Sequence, residues 1–224
     1  MGKHAAIVNR PKQAPAETRG RVLEVAEQLF AERGIDAVSI RDIISAAGAN
    51  LGAINYHFGT KERLIEAVFE RRLLPSAQQR LRALEAVEKA AGDRPPELEA
   101  VLEAFFRPVV EEAMDPDRGG AAFKKLMARS LVDPNPVMER VMKNHIPAMV
   151  KKFDAVLLRA MPGLDPADVF WRMHLLMGGL HQSLLLMDRK PPPGVPPFRL
   201  DAETYIKRFV AFAAAAFRAP LPKD

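Results

Sequence analysis

The segment SIRDIISAAGANLGAINYHFGTK, residues 39–61, carries the strongest local folding signals in this chain. Ser39 and Asp42 have the spacing of a capping box, in which each side chain accepts a hydrogen bond from the other residue's backbone N–H. Apolar residues then recur at helical spacing as far as Ala47. Gly48 follows and predicts a left-handed C-terminal cap. Together these signals predict a short helix between Ser39 and Gly48.

A second short helix is predicted from residue 51 to about residue 58. Asn50 precedes it and can cap its N-terminus with the side-chain oxygen. We expect Leu51, Ile54 and Phe58 to form its buried side, because they share one helix face. A tight glycine turn separates the two helices, which is the arrangement of a helix-turn-helix.

The exposed face of this second helix suits contact with nucleic acid. No acidic residue occurs between Ile43 and Thr60, and the phosphates of DNA are anionic. The alternative interpretation is a polar turn with aromatic core residues. The candidate DNA-binding residues are Arg41, Asn50, Leu51, Gly52, Ala53, Asn55, Tyr56, His57 and Lys61.

These candidates have different expected roles. Asn55 can present its amide to a base edge, for which adenine is the usual partner. Tyr56 and His57 can donate hydrogen bonds to phosphate oxygens, which set register without reading sequence. Arg41 is expected to face outward and bind phosphate, and Lys61 adds a charge beside the N–H groups that begin the next helix. Small side chains at positions 52 and 53 allow close approach to the floor of a groove.

The N-terminal segment resembles the DNA-binding domain of the TetR family of one-component regulators. The resemblance covers about residues 17–69, and its most specific part is the block YHFGTKE, residues 56–62. It implies a transcriptional regulator, usually a ligand-responsive homodimeric repressor on a near-palindromic operator. The matching residues are Thr18, Arg19, Ala26, Leu29, Phe30, Gly34, Val38, Ser39, Ile40, Ile43, Ala47, Gly48, Gly52, Ile54, Asn55, Tyr56, His57, Phe58, Lys61 and Glu62.

The whole chain is predicted to be all-α, with an N-terminal three-helix helix-turn-helix domain joined to a larger helical ligand-binding and dimerisation domain. We assign residues 1–16 to a disordered basic arm, 17–75 to the DNA-binding domain and 76–224 to the C-terminal domain. A helix over residues 61–74 is expected to end at Pro75 and to pass the effect of a ligand to the DNA-reading helix. A long helix over residues 137–161 is expected to bend at Pro147.

The last two helices, at about residues 165–187 and 200–217, are predicted to form the homodimer contact. Gly178, Gly179 and Ser183 on the first, and alanines 213–216 on the second, allow helices to approach closely. Two helices from each subunit would then make a four-helix bundle about a two-fold axis. The alternative is an intramolecular pairing in a monomer. The proline-rich connector between them, residues 191–197, is predicted to be stiff and of polyproline character.

The family resemblance implies an effector cavity in the C-terminal domain, and flexible methionines suit a pocket for apolar or aromatic molecules. His174 and His181 lie seven residues apart on one helix, but no cysteine or carboxylate is in register with them, so we expect pocket lining or core and no metal. No cofactor is expected. The candidate pocket residues are Phe105, Phe106, Met127, Met142, Phe153, Trp171, His174, Met177, His181 and Gln182.

No sequence motif of an enzyme is found, so we expect no catalytic activity. The alternative is a helical ligand-binding or enzymatic protein that uses His174 or His181 and does not bind DNA. The net charge of +5 permits nucleic-acid binding without singling it out. The chain has no cysteine and no apolar run long enough to span a membrane, which predicts a cytoplasmic protein.

Overall fold

A computed structural model describes residues 15–117, 119–187, 189–191, 193–194 and 200–220, and these residues contain helices and no strand. The predicted all-α class is therefore confirmed. Residues 1–14 of the predicted arm, and residues 192 and 195–197 of the predicted polyproline connector, lie outside the described part. The helices are α1 (Pro15–Arg33), α2 (Ile40–Ala47), α3 (Leu51–His57), α4 (Lys61–Ala91), α5 (Leu98–Met114), α6 (Gly120–Val132), α7 (Pro136–His145), α8 (Pro147–Ala160), α9 (Pro166–Leu186) and α10 (Ala202–Arg218).

The predicted helix-turn-helix is formed by α2 and α3 and is held by local caps. The Ser39 hydroxyl accepts the N–H of Asp42 at 3.2 Å, and the Asp42 carboxylate accepts the N–H of Ser39 at 2.8 Å. Gly48 ends α2 with a φ of +59°, in the left-handed region where an L side chain is strained. Asn50 caps α3 by accepting the N–H of Ala53 at 2.8 Å. The predicted caps are therefore present.

Helix α4 differs from the prediction, because it continues through Pro75 to Ala91. A proline inside a helix removes one hydrogen bond and costs about 3 kcal/mol. On both sides of Pro75, however, α4 buries apolar residues against other helices, including Leu73 and Ala77. This packing outweighs the local penalty. The prediction that the helix ends at Pro75 was wrong, and a domain boundary after residue 75 would fall within one continuous helix.

The predicted long helix over residues 137–161 is instead two helices. α7 ends at His145, Ile146 caps its C-terminus, and α8 begins at Pro147. Proline is favoured at the first position of a helix, where its missing N–H would have no partner. Pro108, by contrast, lies inside α5, which runs on to Met114.

Two apolar clusters form the interior of the described chain. The first surrounds Phe30 and Phe69 and also contains residues of α6 and α7, such as Leu126. The second lies between α4, α5, α8, α9 and α10, around Phe106 and Phe153. Helix α4 contributes to both clusters, so it joins the helix-turn-helix to the C-terminal helices.

A buried ion pair also ties α1 to α4. Arg72 Nε and Nη2 donate to the two carboxylate oxygens of Glu27 at 2.9 and 2.8 Å. Both side chains are almost entirely buried. The Glu112 carboxylate lies 3.8 Å from Arg72, and the Arg72 guanidinium lies 5.8 Å from the centre of the Phe123 ring. This cluster connects the N-terminal helices with α5 and α6. No helix in the described part of the chain is both long and apolar enough to cross a membrane.

Candidate nucleic-acid interface and ligand cavity

Helix α3 is anchored by its buried face and leaves most of its side chains in solvent. Ile54 and Phe58 are buried, whereas Asn55 is exposed and Tyr56 is 80% exposed. Leu51 differs from the expected buried position, since it is 56% exposed. It is the first residue of α3, whereas Ile54 and Phe58 belong to the apolar cluster around Phe30 and Phe69. The exposed Leu51 therefore adds apolar surface to this face.

Two of the candidate residues have interactions of their own within the protein. The side-chain oxygen of Asn50 accepts the capping bond from Ala53, while its amide NH₂ group makes no hydrogen bond to a described residue. The ring of His57 packs edge-on against Tyr56 with a centroid distance of 5.0 Å. Arg19 of α1 lies 5.5 Å from the centre of the Phe58 ring, next to the end of α3.

Basic side chains border α3 on two sides. Arg41 on α2 is exposed, and Lys61 is the half-buried first residue of α4. Thr60 caps α4 by accepting the N–H of Arg63 at 3.2 Å. Gly52 is also exposed and Ala53 half-buried. The nine candidates thus lie on one contiguous stretch of α2, α3 and the start of α4, and their contact with DNA stays a prediction.

The acidic residues nearest to this face are held by helix caps. Hydrogen bonds from the Ser39 hydroxyl and backbone lower the pKa of the Asp42 carboxyl. Hydrogen bonds from its own backbone N–H and from Thr60 lower the pKa of the Glu62 carboxyl. Both carboxylates are therefore directed at helix N-termini, and α3 itself carries none. The face that α3 presents to solvent has no acidic side chain to repel a phosphate backbone.

A cavity of about 360 Å³ lies among the C-terminal helices. Its volume is in the range of small-molecule sites. Five of the ten predicted pocket residues line it, namely Phe105, Met142, Phe153, His174 and Met177. The lining residues absent from the prediction are Arg80, Ile146, Met149, Val150, Asp154, Pro166, Val169, Phe170 and Met173.

Arg80 could have been found from its position in the sequence. It lies three residues after Ala77 and four before Leu84, both of which are buried, so it occupies the inner face of α4. A charged residue in an apolar helical stripe is unusual and marks either an ion pair or a binding site. The prediction missed it because the candidate pocket residues were chosen only among aromatic, methionine, histidine and glutamine side chains.

The structure places the other five predicted residues outside the cavity. Phe106 is fully buried in the C-terminal core, and Met127 packs against the N-terminal cluster because α6 lies on α1. Trp171 and Gln182 are exposed on α9 and are not among the residues that line the cavity. His181 is buried about two turns beyond His174, and its Nδ1–H donates to the Met177 carbonyl at 2.7 Å. Half of the predicted pocket residues therefore do not line this cavity.

Two ionisable groups near the cavity are perturbed by burial. Burial lowers the pKa of His181, and the positive charge of Arg80 lowers it further. Burial also raises the pKa of Asp154 in the cavity wall. His174 is exposed and lines the cavity, whereas His181 is buried outside it. In the described part of the chain, no three His, Cys, Asp or Glu residues are grouped as metal ligands.

Two family profiles match the sequence. "Bacterial regulatory proteins, tetR family" matches residues 22–68, which contain α2, α3 and the start of α4. "Tetracyclin repressor-like, C-terminal domain" matches residues 103–216, slightly more than half of the chain. The first of these profiles describes regulatory proteins.

Individual relatives match over only part of the chain. The HTH-type transcriptional repressor Rv3405c of Mycobacterium tuberculosis is 33% identical over 140 residues, which are 62% of this chain and 59% of that protein. The HTH-type transcriptional regulator TtgR of Pseudomonas putida is 38% identical over 64 residues, 29% of this chain and 30% of TtgR. The chain thus spans between about a third and three fifths of the length of these curated relatives.

Solved structures agree with the fold over nearly the whole chain. SCO4454, a TetR-family transcriptional regulator from Streptomyces coelicolor, has a TM-score of 0.56 and 22% identity, and the similarity covers 92% of this chain and 91% of that one. A putative TetR-family regulator from Rhodococcus sp. has a TM-score of 0.54 and 19% identity, covering 90% and 98%. The profiles, the capped helix pair and the helical C-terminal part all lead to one conclusion: the chain belongs to the TetR family of bacterial regulatory proteins.

Proposed function

We propose that this protein is a homodimeric transcriptional repressor that binds DNA through α3 and responds to a small-molecule effector. The observation that carries the proposal is the solvent face of α3, where Asn55 and Tyr56 are exposed and no carboxylate is present. An α-helix of this kind fits the major groove, where an asparagine amide can read adenine. The relative Rv3405c is also a transcriptional repressor.

The homodimer is supported by an exposed apolar stripe on α9. Trp171, Leu175 and Leu186 are 62%, 72% and 37% exposed, and they follow one face of the helix. Gly178 and Gln182 complete this face. Contiguous exposed apolar surface marks interaction sites.

Helix α10 is fixed beside α9 and adds to this surface. The Ser183 hydroxyl and the Tyr205 phenol share a hydrogen bond of 2.6 Å, and Arg172 of α9 donates to the carbonyls of Ala216 and Ala219 near the end of α10. Phe212 of α10 is 65% exposed. Two such helix pairs would form a four-helix bundle about a two-fold axis.

A two-fold axis through this bundle would present two copies of α3 to one operator. Dimeric helix-turn-helix proteins read half-sites about 34 Å apart. An effector in the cavity would act through α4, which lines the cavity at Arg80 and begins beside α3 at Lys61. These two residues are separated by about 29 Å along one helix. The effector would change DNA affinity only through its different affinity for the two states.

DNA binding is tested by fluorescence anisotropy with the intergenic DNA beside the gene of this protein, at several salt concentrations. Tyr56→Ala and Lys61→Ala should weaken binding, and Lys61→Ala should reduce the salt slope by about one. Lys89→Ala is the matched control, because Lys89 is exposed on the same helix α4 at its opposite end. Wild-type affinity and slope in Lys61→Ala would exclude Lys61 from the interface.

Dimerisation is tested by analytical ultracentrifugation of Leu175→Glu. Charge on the proposed seam should convert the dimer into monomers and weaken operator binding together with it. Val132→Glu is the control, since Val132 is 87% exposed at the end of α6 and is not part of the proposed α9 and α10 contact. A Leu175→Glu protein that remains dimeric would place the subunit contact elsewhere.

A further inference from the structure

We propose that the cavity among the C-terminal helices binds an amphipathic monocarboxylate, whose carboxylate pairs with Arg80 and whose apolar body fills the space lined by methionine and aromatic side chains. This inference rests on the proposed function, because it names the chemical class of the effector. The observation that supports it is the position of the Arg80 guanidinium.

Arg80 has a guanidinium group without a partner in the described part of the chain. No hydrogen bond or ion pair joins it to any described residue, and its Nε atom is buried without an acceptor. The Nε atoms of Arg21 and Arg172 are also buried without an acceptor, but both residues have other partners and neither lines the cavity. Burial lowers the pKa of Arg80 to about 10, so the group keeps its charge at neutral pH. Burying a positive charge in such a position costs free energy unless an anion pairs with it.

The protein holds this guanidinium in place without neutralising it. Its Cζ atom lies over the Phe105 ring, 4.8 Å from the ring centre, which orients the planar group by a cation–π contact. Glu112 attracts Arg80 from a distance, but its carboxylate lies 3.8 Å from Arg72. His181, near Arg80, is kept neutral by burial and donates its Nδ1–H to Met177, so it supplies no negative charge. An oriented guanidinium with free N–H groups matches the two oxygens of a carboxylate.

The rest of the cavity suits an apolar body. Its walls include Met142, Met149, Met173 and Met177, and flexible methionines adapt to varied apolar shapes. The only carboxylate in the lining is Asp154, whose pKa burial raises. The Arg80 guanidinium can neutralise one negative charge on a ligand. A second negative charge on the ligand would be repelled by the Asp154 carboxylate. A monoanion is therefore favoured over a dianion such as a phosphate monoester.

The test measures the charge preference of the purified full-length protein in the absence of DNA. Three probes with the same alkyl chain are titrated below their micelle concentrations: decanoate, decan-1-ol and decylamine. The signal is the fluorescence of Trp171, the single tryptophan of the sequence, whose ring centre is 6.5 Å from that of His174 in the cavity wall. We expect decanoate to bind at least about tenfold more tightly than decan-1-ol, the value of a charge-assisted hydrogen-bonded pair.

Variants of α4 assign this preference to one side chain. Arg80→Gln should bring decanoate and decan-1-ol to nearly equal affinity, whereas Arg80→Lys should keep part of the preference. Arg82→Gln is the matched control, because Arg82 is exposed on the same helix, and it should behave as the wild type. The proposal is overturned if the wild type binds none of the probes, if the alcohol or the amine binds it as tightly as decanoate, or if Arg80→Gln retains the preference. If Arg80→Gln does not fold, the three probes on the wild type decide the question alone.

The failure of this inference and that of the proposed function can be told apart. Operator affinity of the wild type is measured separately without any probe. Intact operator binding without a carboxylate preference refutes the effector class and leaves the repressor proposal standing. A carboxylate preference in a protein that does not bind its operator refutes the repressor proposal and supports the site at Arg80.

Discussion

Removing the carboxylate of Glu27 should destabilise the protein more than any equivalent change on its surface. The substitution Glu27→Gln keeps the shape of the side chain but replaces one oxygen with an NH₂ group. That group faces the Arg72 guanidinium, which also has only donors. One of the two hydrogen bonds, at 2.9 and 2.8 Å, is then lost, and so is the compensating charge.

The expected loss of unfolding free energy depends on which groups still contact Arg72 after the substitution. Breaking a buried ion pair by removing one partner costs about 3–5 kcal/mol. Arg72 would keep the Glu112 carboxylate at 3.8 Å and the Phe123 ring at 5.8 Å. We therefore expect a loss at the lower end, about 3 kcal/mol of unfolding free energy. The assay is guanidinium chloride unfolding at neutral pH and at one protein concentration, because dimer stability depends on concentration.

A surface pair of the same geometry provides the control. Arg218 donates to both oxygens of Glu99 at 2.5 and 2.8 Å, and both side chains are about half exposed. Glu99→Gln should therefore have a much smaller effect. Replacing both partners, by Glu27→Gln with Arg72→Met, should be milder than the sum of the single changes by about 2 kcal/mol. Equal losses for Glu27→Gln and Glu99→Gln would refute the reasoning that burial decides the strength of this contact.

Three further predictions concern α3, α4 and α9. Asn55→Ala should relax operator preference at one base pair by about 1–3 kcal/mol, measured by competition with single-site operator variants, and an unchanged preference would remove Asn55 from the base-reading set. Pro75→Ala should raise the unfolding free energy by about 1 kcal/mol or more, since it restores a hydrogen bond inside α4, and an unchanged value would contradict this. Burial lowers the pKa of His181 in the folded state, so the unfolded chain binds more protons below the ordinary histidine pKa of about 6.5. Wild-type stability should therefore fall as the pH drops from about 6.5 towards the folded-state pKa, and His181→Gln should lose this part of the slope, which urea unfolding over that range would show.

The capped helix pair α2 and α3 could be predicted closely from the sequence because its determinants are local. The capping box of Ser39 and Asp42, the Gly48 turn and the Asn50 cap each act within four residues. Such contacts form in any context that leaves the segment helical. The exposure of Leu51 could not be read in the same way, because burial of a side chain depends on tertiary packing and not on its place in a helical pattern alone.

The lining of the cavity among the C-terminal helices was predicted only in part, because its walls come from helices distant in the sequence. Met127 has the same composition signal as Met142, yet α6 packs on α1 and carries Met127 away from the cavity. Arg80 has no distinguishing local signal other than its place on an apolar stripe. Only the tertiary structure shows that Phe105, Glu112 and His181 are the neighbours of Arg80 and that none of them forms an ion pair with it.

The two prolines Pro75 and Pro147 show where local information ends. Both lack a backbone N–H, and the same chemistry predicts a disturbed helix at each. Around Pro75 the neighbouring residues bury enough apolar surface to keep α4 continuous, whereas at Pro147 the chain ends one helix and starts another. The sequence by itself determined the all-α class, the helix caps and the surface of α3, because these depend on neighbours along the chain. Only the tertiary structure decided the continuity of α4, the Glu27–Arg72 pair and the cavity around Arg80. Each of these features depends on packing between residues that are distant in the sequence.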